Sequence, residues 1–263
     1  MAAAFFLCPA AGAAAEGELP AFEPVPWQAG KDVVWVPTPL VLVDKMLDMA
    51  RVTPKDYVVD LGSGDGRNII AAAKRGARGL GVEYNPDMVA YSRRVAAAEG
   101  VAERAQFVEG DMFEADISQA TVLALFLLPD NLDKLKEKFA GLAPGSRIVN
   151  NGFEIPGWQA EATHKSSGDC SPWCTAHLYI VPARVAGTWR LPRGEVTLEQ
   201  DFQALSGTLS ADGASLPVFN GRVKGDRVSF AIGLDEYAGR VRGDTMSGEV
   251  SGSVNGRWTA TRR

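Results

Sequence analysis

The chain has 263 residues, of which 46% are hydrophobic, and this is enough for one large core or two domains. Its net charge of -5 and its lack of any basic run argue against a dedicated nucleic-acid binder. No apolar segment approaches the roughly 18 residues needed to cross a bilayer, so we expect no stable membrane insertion.

Residues 1–30 are predicted to be a signal-like segment followed by a linker. The first 15 residues are rich in alanine, and Ala13-x-Ala15 resembles a signal-peptidase site after a short apolar region. The usual basic residues before such a region are missing, because the first Lys or Arg is Lys31. We favour export to the periplasm or secretion, and the alternative is a cytoplasmic protein with an alanine-rich tail. Residues 16–30 are rich in Pro, Gly and acidic residues, which is typical of a linker.

Residues 33–39, VVWVPTP, lead into an amphipathic helix that begins near Leu40. Two prolines stiffen this entry, and Thr38 is a candidate N-cap. The segment either folds over a bound cofactor or is a capped helix start, and the pattern leaves both interpretations open.

Residues 58–67, VVDLGSGDGR, have the pattern of a strand, a tight turn and a helix, which opens a nucleotide-binding α/β sheet. A hydrophobic run ends in Asp60. Three glycines follow at alternate positions: Gly62, Gly64 and Gly66. Without Cβ atoms, they let the backbone adopt positive φ and approach a ligand. The third glycine comes one residue too early for the dinucleotide fingerprint, and the Gly-Lys-Ser/Thr of a Walker loop is absent.

Two further acidic residues end strand-like segments. Glu83 follows the apolar residues 80–82, about 20 residues after the glycine loop, where a carboxylate can accept the protons of ribose hydroxyls. Asp111, followed by Met112, comes shortly after a third segment at residues 106–108. Three sites at three successive strand ends indicate a nucleoside-binding crevice at one edge of the sheet.

The rest of this α/β region alternates helices and strands. Helices are predicted over 66–76, 86–100 and 131–142, and strands over 121–128 and 147–153. The run 121–128, TVLALFLL, is apolar throughout, which is typical of a central parallel strand covered on both faces. Asp130 is interpreted as the N-cap of the next helix, with a role as general base as the alternative.

The segments VPTP, DLGSGDGR, GVEYNPD, FVEGDMF, LFLLPDNLDKL and APGSRIV resemble, in this order, bacterial class I S-adenosylmethionine (SAM) methyltransferases. This group is related to the seven-strand protein-lysine methyltransferases, which include the enzyme acting on the c-ring protein of ATP synthase. The resemblance covers roughly residues 33–185 and implies a Rossmann-like, seven-stranded α/β sheet. It also implies the roles of the cofactor-binding residues: Asp60, Gly62, Gly64 and Gly66 for the methionine and ribose part of SAM, Glu83 for the ribose, and Asp111 and Met112 for the adenine.

The resemblance implies SAM-dependent methyl transfer, with a protein lysine amine as the first candidate acceptor. Many amine methyltransferases have an N/D-P-P-Y motif after strand four, but this sequence has Leu-Leu-Pro-Asp-Asn at 127–131. A small-molecule N-, O- or S-methyltransferase and a non-catalytic binding protein with the same fold are the alternatives. No catalytic residue is assigned.

Both histidines and two of the three cysteines fall between His164 and His177. The histidines are expected on opposing strands of a hairpin, so their spacing is poor for a metal site and none is predicted. In an exported protein, a disulfide between Cys170 and Cys174 is favoured over two free thiols.

Residues 31–183 are predicted to form the SAM-binding domain and residues 184–263 a second, all-β domain. The second region is rich in Gly, and FNGRVKGDRVSF and YAGRVRGDTMSG look like one repeated hairpin unit. We predict an antiparallel β-meander, either a small open barrel or a curved sheet, which recognises a partner or covers a sheet edge. Its core is expected to contain five aromatic residues: Trp189, Phe202, Phe219, Phe230 and Trp258.

Overall fold

The computed structural model describes residues 22–166 and 173–263. The predicted signal-like segment and Cys170 lie outside the described residues. Among those that are described, no helix combines the length and apolar character that a membrane span requires.

The first part of the described chain forms a seven-stranded sheet in the order β3-β2-β1-β4-β5-β7-β6. Its strands are β1 (Tyr57–Leu61), β2 (Arg78–Glu83), β3 (Ala105–Glu109), β4 (Val122–Leu125), β5 (Arg147–Asn151), β6 (Ala162–Lys165) and β7 (Thr175–Ile180). The first five strands are parallel, and β7 runs antiparallel to both of its neighbours. Since the strand order reverses between β1 and β4, a crevice is expected at their carboxyl ends. The predicted Rossmann-like sheet is confirmed.

Helices cover both faces of this sheet. They are α1 (Leu40–Met49), α2 (Arg67–Lys74), α3 (Pro86–Ala98) and α4 (Pro129–Ala140). Val58 of β1 packs in the core beneath α1, α2 and α3, whereas its neighbour Val59 packs in the core beneath α4. This alternation is the two-residue period of a strand that is buried on both sides.

Two of the predicted strands end earlier than their apolar sequences suggest. β4 stops at Leu125 because the next residues turn towards the crevice, and the amide of Leu127 donates to the side chain of Asn150 instead of continuing a strand ladder (3.2 Å). β5 stops at Asn151 because Gly152 adopts a φ of +80°.

Both predicted helix caps are wrong. α4 begins at Pro129, whose fixed φ suits the first helical position, so Asp130 lies inside the first turn and Leu128 is the N-cap. The N-cap of α1 is Pro39. The hydroxyl of Thr38 instead lies 3.5 Å from Nδ2 of Asn151.

The second part of the chain forms a closed antiparallel barrel of eight strands. These are β8 (Gly187–Leu191), β9 (Gly194–Asp201), β10 (Ala204–Ala211), β11 (Ala214–Lys224), β12 (Arg227–Ile232), β13 (Asp235–Arg242), β14 (Thr245–Ser251) and β15 (Gly256–Arg262). Each strand pairs with the next, and β15 closes the ring on β8. The predicted meander is confirmed, but it forms a closed barrel and not an open one.

The two repeated sequence units form the hairpins β11–β12 and β13–β14, each with a Gly-Asp turn. Trp189, Phe230 and Trp258 are buried in the barrel as predicted. Phe219 is half exposed, because its neighbour Val218 faces inward and successive residues of a strand face opposite ways. Phe202 stacks on Trp158, outside the barrel interior.

The barrel contacts the loop at residues 152–161, between β5 and β6. The rings of Trp158 and Phe202 stack with centroids 4.6 Å apart. The carboxylate of Glu161 forms ion pairs at 2.8 Å with both Arg222 and Lys224 of the barrel. The barrel therefore docks on a loop and forms no strand pairing with the seven-stranded sheet in the described structure. The domain boundary after residue 183 stays a prediction.

Candidate functional site

A cavity opens at the carboxyl edge of the sheet, where the strand order reverses. The structure brings five of the predicted site residues together in its lining: Asp60, Gly62, Glu83, Asp111 and Met112. Gly64 and Gly66 lie behind this surface.

The glycine loop is shaped by close packing as well as by its backbone dihedrals. Gly62, Gly64 and Gly66 have φ angles of +74°, +54° and +80°. A Cβ on Gly64 would lie 2.3 Å from the indole nitrogen of Trp35, and one on Gly66 would lie 2.6 Å from the ring of Phe107. The two glycines therefore admit aromatic rings from other segments, and only Gly62 faces the cavity.

Asp60 lies on the cavity wall at the end of β1 and is only 3% exposed. Burial raises the pKa of its carboxyl well above 3.8, and the nearby charges of Glu83 and Asp65 raise it further. Nδ2 of Asn68 donates to Asp60 at 3.0 Å, while Oδ1 of Asn68 is buried without a partner among the described residues. This wall therefore favours a ligand that brings positive charge or N–H donors.

Glu83, at the end of β2, accepts two backbone hydrogen bonds. The amide of Gly64 donates to one carboxylate oxygen (2.9 Å), and the amide of Asn85 donates to the other (3.0 Å). Each carboxylate oxygen can accept more than one hydrogen bond, so Glu83 can both hold the loop and bind ligand hydroxyls.

Asp111 is paired with a lysine from the segment that precedes α1. Nζ of Lys31 lies 2.7 Å from Oδ2 of Asp111 and 4.6 Å from the ring centre of Tyr84. The hydrogen bond from Lys31, together with one from the amide of Phe113, lowers the pKa of Asp111. A ligand donor that binds this carboxylate competes with the lysine for it.

We call residues 27–38 the strap, because most of them line the cavity. Backbone hydrogen bonds from Trp27 to Trp35 (2.8 Å) and from Trp35 to Gln28 (2.9 Å) fold the strap back on itself. A guanidinium nitrogen of Arg67 donates to the carbonyl of Thr38 (2.6 Å) and so ties the strap to the start of α2. Of the two interpretations of residues 33–39, the structure supports the first: the segment folds over the site.

Several residues of this site were missed from the sequence. Asn68 had a detectable signal, because it is a polar residue on the apolar face of α2. Lys31 and Gln28 had none, because they stand in or beside a segment of linker-like composition. The alternative role of Asp130 as general base is not supported, since its side chain is exposed and lies outside the cavity lining.

The predicted cysteine and histidine hairpin forms as β6 and β7, with Thr163 opposite His177. Nδ1 of His177 lies 3.1 Å from the hydroxyl of Thr163, and burial lowers the pKa of the imidazole. Within the described ranges, no group of three His, Cys, Asp or Glu residues could hold a metal ion. Cys174 is disulfide-bonded. Its predicted partner, Cys170, lies outside the described residues.

Comparison with known proteins gives consistent matches over the α/β part of the chain. Residues 60–162 match the ANTKMT methyltransferase domain. A protein-lysine N-methyltransferase of Saccharolobus islandicus is 41% identical over 152 residues, which are 57% of this chain and 94% of that protein. An ATP synthase lysine N-methyltransferase of Xenopus laevis is 36% identical over 125 residues, which are 47% of this chain and 55% of that protein.

The crystal structure of an RNA methyltransferase from Salinibacter ruber in complex with S-adenosyl-L-homocysteine superimposes with a TM-score of 0.53. It is 41% identical, and the match covers 57% of this chain and 96% of that one. The chain thus spans nearly the whole of the archaeal relative and of the Salinibacter protein, but only about half the length of the Xenopus enzyme.

Proposed function

Because the chain belongs to the family of SAM-dependent methyltransferases that contains the Saccharolobus protein-lysine N-methyltransferase, we propose that it methylates the ε-amine of a protein lysine. Methyl transfer and the use of SAM follow from the family. The acceptor is the proposed part. The observation that carries it is the 41% identity over 94% of a relative named for this acceptor.

The residues of the cavity fit SAM. Asp60 and Asn68 are the acceptors for the ammonium group of the methionine part. Oδ1 of Asn68 has no hydrogen-bond partner within the described part of the chain. Glu83 is the acceptor for the ribose hydroxyls. Asp111 and Met112 stand at the end of the cavity that we assign to the adenine.

When bound, SAM supplies a methyl group that its sulfonium already activates. The chain therefore has to align the acceptor, exclude water and help the lysine lose a proton. The cavity wall formed by Leu127 and Met112 is apolar. Such surroundings disfavour the charged form of an entering ammonium group and so lower its pKa.

The overall charge supports protein over RNA as the acceptor. The net charge is -5 and the isoelectric point is about 5.2, whereas RNA-binding surfaces are rich in Lys and Arg. An RNA acceptor is the second candidate, because the Salinibacter structure with the same identity is described as an RNA methyltransferase. A small-molecule acceptor is the third.

Labelled SAM can distinguish these acceptors. The purified chain is incubated with methyl-labelled SAM and cell extract, and the products are divided and treated with protease or with ribonuclease. We expect protease-sensitive label that acid hydrolysis releases as methyl-lysine. Glu83→Ala is the matched control and should remove both the label and the binding of SAM. Label that is released only by ribonuclease, or that is found only in small molecules, would refute the lysine proposal.

We also propose that the protein is exported. The alanine-rich segment with Ala13-x-Ala15 supports this, and so does the disulfide at Cys174, since such bonds persist mainly in oxidising compartments. Mass spectrometry of the protein from its native host should find an N-terminus just after Ala15. A cytoplasmic fraction that retains residues 1–15 would contradict export.

A further inference from the structure

Three aromatic side chains meet at the carboxyl edge of the sheet: Phe126 after β4, Phe153 after β5, and Trp173 before β7. The ring centre of Trp173 lies 5.5 Å from that of Phe126 and 5.2 Å from that of Phe153, and both pairs are tilted. All three side chains are partly exposed. We call them the aromatic cluster.

The aromatic cluster adjoins the cofactor cavity, because Phe126 belongs to both. Gly152 makes the contact between the rings possible. A Cβ on this residue would lie 3.1 Å from the indole of Trp173 and 3.5 Å from the ring of Phe126, and its φ is +80°. The rings therefore pack against the backbone at a position where a side chain would crowd them.

The indole N–H of Trp173 is buried and has no hydrogen-bond partner within the described structure. The two tryptophans of the barrel differ in this respect. Nε1 of Trp189 donates to the carbonyl of Val185 at 2.7 Å, and Nε1 of Trp258 donates to that of Glu249 at 3.0 Å. A buried indole N–H normally finds an acceptor, and that of Trp173 has none within the described residues.

A carboxylate follows one ring of the aromatic cluster in the chain. Glu154 follows Phe153 directly, and its side chain is 71% exposed. The nearest basic group is Nδ1 of His177, at 3.8 Å, and burial keeps the pKa of this imidazole low. Glu154 therefore adds an exposed negative charge to the loop that carries Phe153.

We propose that the aromatic cluster and Glu154 bind the cationic end of the acceptor lysine and of its methylated products, with Trp173 as the specificity-determining residue. Aromatic faces attract ammonium groups, and they bind quaternary ammonium groups especially well because these are weakly hydrated. The inference rests on the proposed function for the class of acceptor, and it adds the surface that selects this acceptor.

A charged probe and its neutral isostere test whether the aromatic cluster recognises a cation. Nα-acetyl-Nε-trimethyllysine amide and its neutral isostere, in which carbon replaces the quaternary nitrogen, are titrated into the full chain saturated with S-adenosylhomocysteine. The two probes have the same shape, so only the charge distinguishes them. We expect the charged probe to bind about tenfold more tightly. Equal affinities would overturn the proposal, because the rings would then act only as an apolar surface.

Variants assign the binding to the cluster. Trp173→Ala should remove the preference for the charged probe and leave the affinity for S-adenosylhomocysteine unchanged. Glu154→Gln, at an exposed position, should reduce the preference severalfold and serves as the second variant if Trp173→Ala fails to fold. Phe219→Ala, at an exposed position of the barrel, is the matched control and should change neither affinity. If the preference for the charged probe survives in both Trp173→Ala and Glu154→Gln, the proposal is overturned.

The same variants separate this inference from the proposed function. If cell extract yields methyl-lysine and Trp173→Ala leaves the KM for the protein acceptor unchanged, lysine methylation stands and the aromatic cluster proposal falls. If the charged probe is preferred and no methyl-lysine forms, the cluster binds cations but the proposed acceptor is wrong. If single-stranded RNA binds and Trp173→Ala abolishes that binding, the rings stack on bases and the proposal is overturned.

Discussion

Gly66 is the residue of the glycine loop at which an added methyl group would meet deeply buried neighbours. Its φ is +80°, and an added Cβ would lie 2.6 Å from two ring atoms of Phe107 and 3.0 Å from Cβ of Ser92. Phe107 is 2% exposed and Ser92 is fully buried, so neither can move into solvent. The left-handed backbone costs roughly 1–2 kcal/mol for a residue with a Cβ, and overpacking a closed core adds about 1–3 kcal/mol. We expect Gly66→Ala to lower the free energy of unfolding by about 2–5 kcal/mol.

Gly100 is the matched control for this prediction. Its φ is +69°, and no atom of the described residues lies within 4 Å of a Cβ built there. Gly100→Ala should therefore cost only the backbone term, about 1–2 kcal/mol. Urea denaturation followed by the helical circular dichroism signal reports on the α/β part, since the barrel strands contribute no helix. Equal losses for the two variants would refute the packing argument, and an unchanged Gly66→Ala would refute the backbone argument as well.

Three other predictions concern the site and the barrel contact. Lys31→Met should strengthen the binding of SAM in calorimetry, because the ammonium no longer occupies Asp111; weaker binding would mean that Lys31 contacts the cofactor. Burial raises the pKa of Asp60 above 3.8, so the cofactor-free wild type should lose stability relative to Asp60→Asn as the pH rises from 3.8 through the raised pKa. A difference in thermal stability that is constant with pH would contradict this. Burial opposes the ionisation of Glu161, but its hydrogen bonds with Lys224 and Arg222 of the barrel outweigh this and lower its pKa below 4.5. Glu161→Gln should therefore cost about 1–2 kcal/mol at neutral pH, a modest value because Arg222 is partly exposed, and the cost should vanish as the pH falls below 4.5. A cost that persists in acid would show that the charge of Glu161 is not its source.

The sequence predicted the sheet and three acidic residues of the cavity because both depend on local sequence patterns. Asp60, Glu83 and Asp111 each come at or shortly after the end of a short apolar run. Parallel strands bring such ends to the same edge, so three separate signals converge on one cavity. The Gly-Asp turns of the barrel are equally local, and both formed as predicted.

The features that were missed depend on contacts between distant parts of the chain. Lys31 meets Asp111 across 80 positions, and nothing near Lys31 in the sequence indicates a carboxylate. Barrel closure requires Thr261 to pair with Arg190, whereas the alternating pattern specifies only that a strand exists and not which strand it meets. The outward orientation of Phe219 depends on strand register, since a shift by one residue would turn it inward.

The loop at residues 152–161 connects two surfaces that are otherwise separate. Its first residues, Phe153 and Glu154, belong to the rim where the acceptor is proposed to bind, and its last ones, Trp158 and Glu161, are clamped by the barrel. The barrel thus holds, through Trp158 and Glu161, the same loop that contributes Phe153 and Glu154 to the acceptor rim. Removal of the barrel would leave the cofactor cavity unchanged but would remove the contacts that hold this loop. The selection of acceptors should therefore weaken before the binding of the cofactor does.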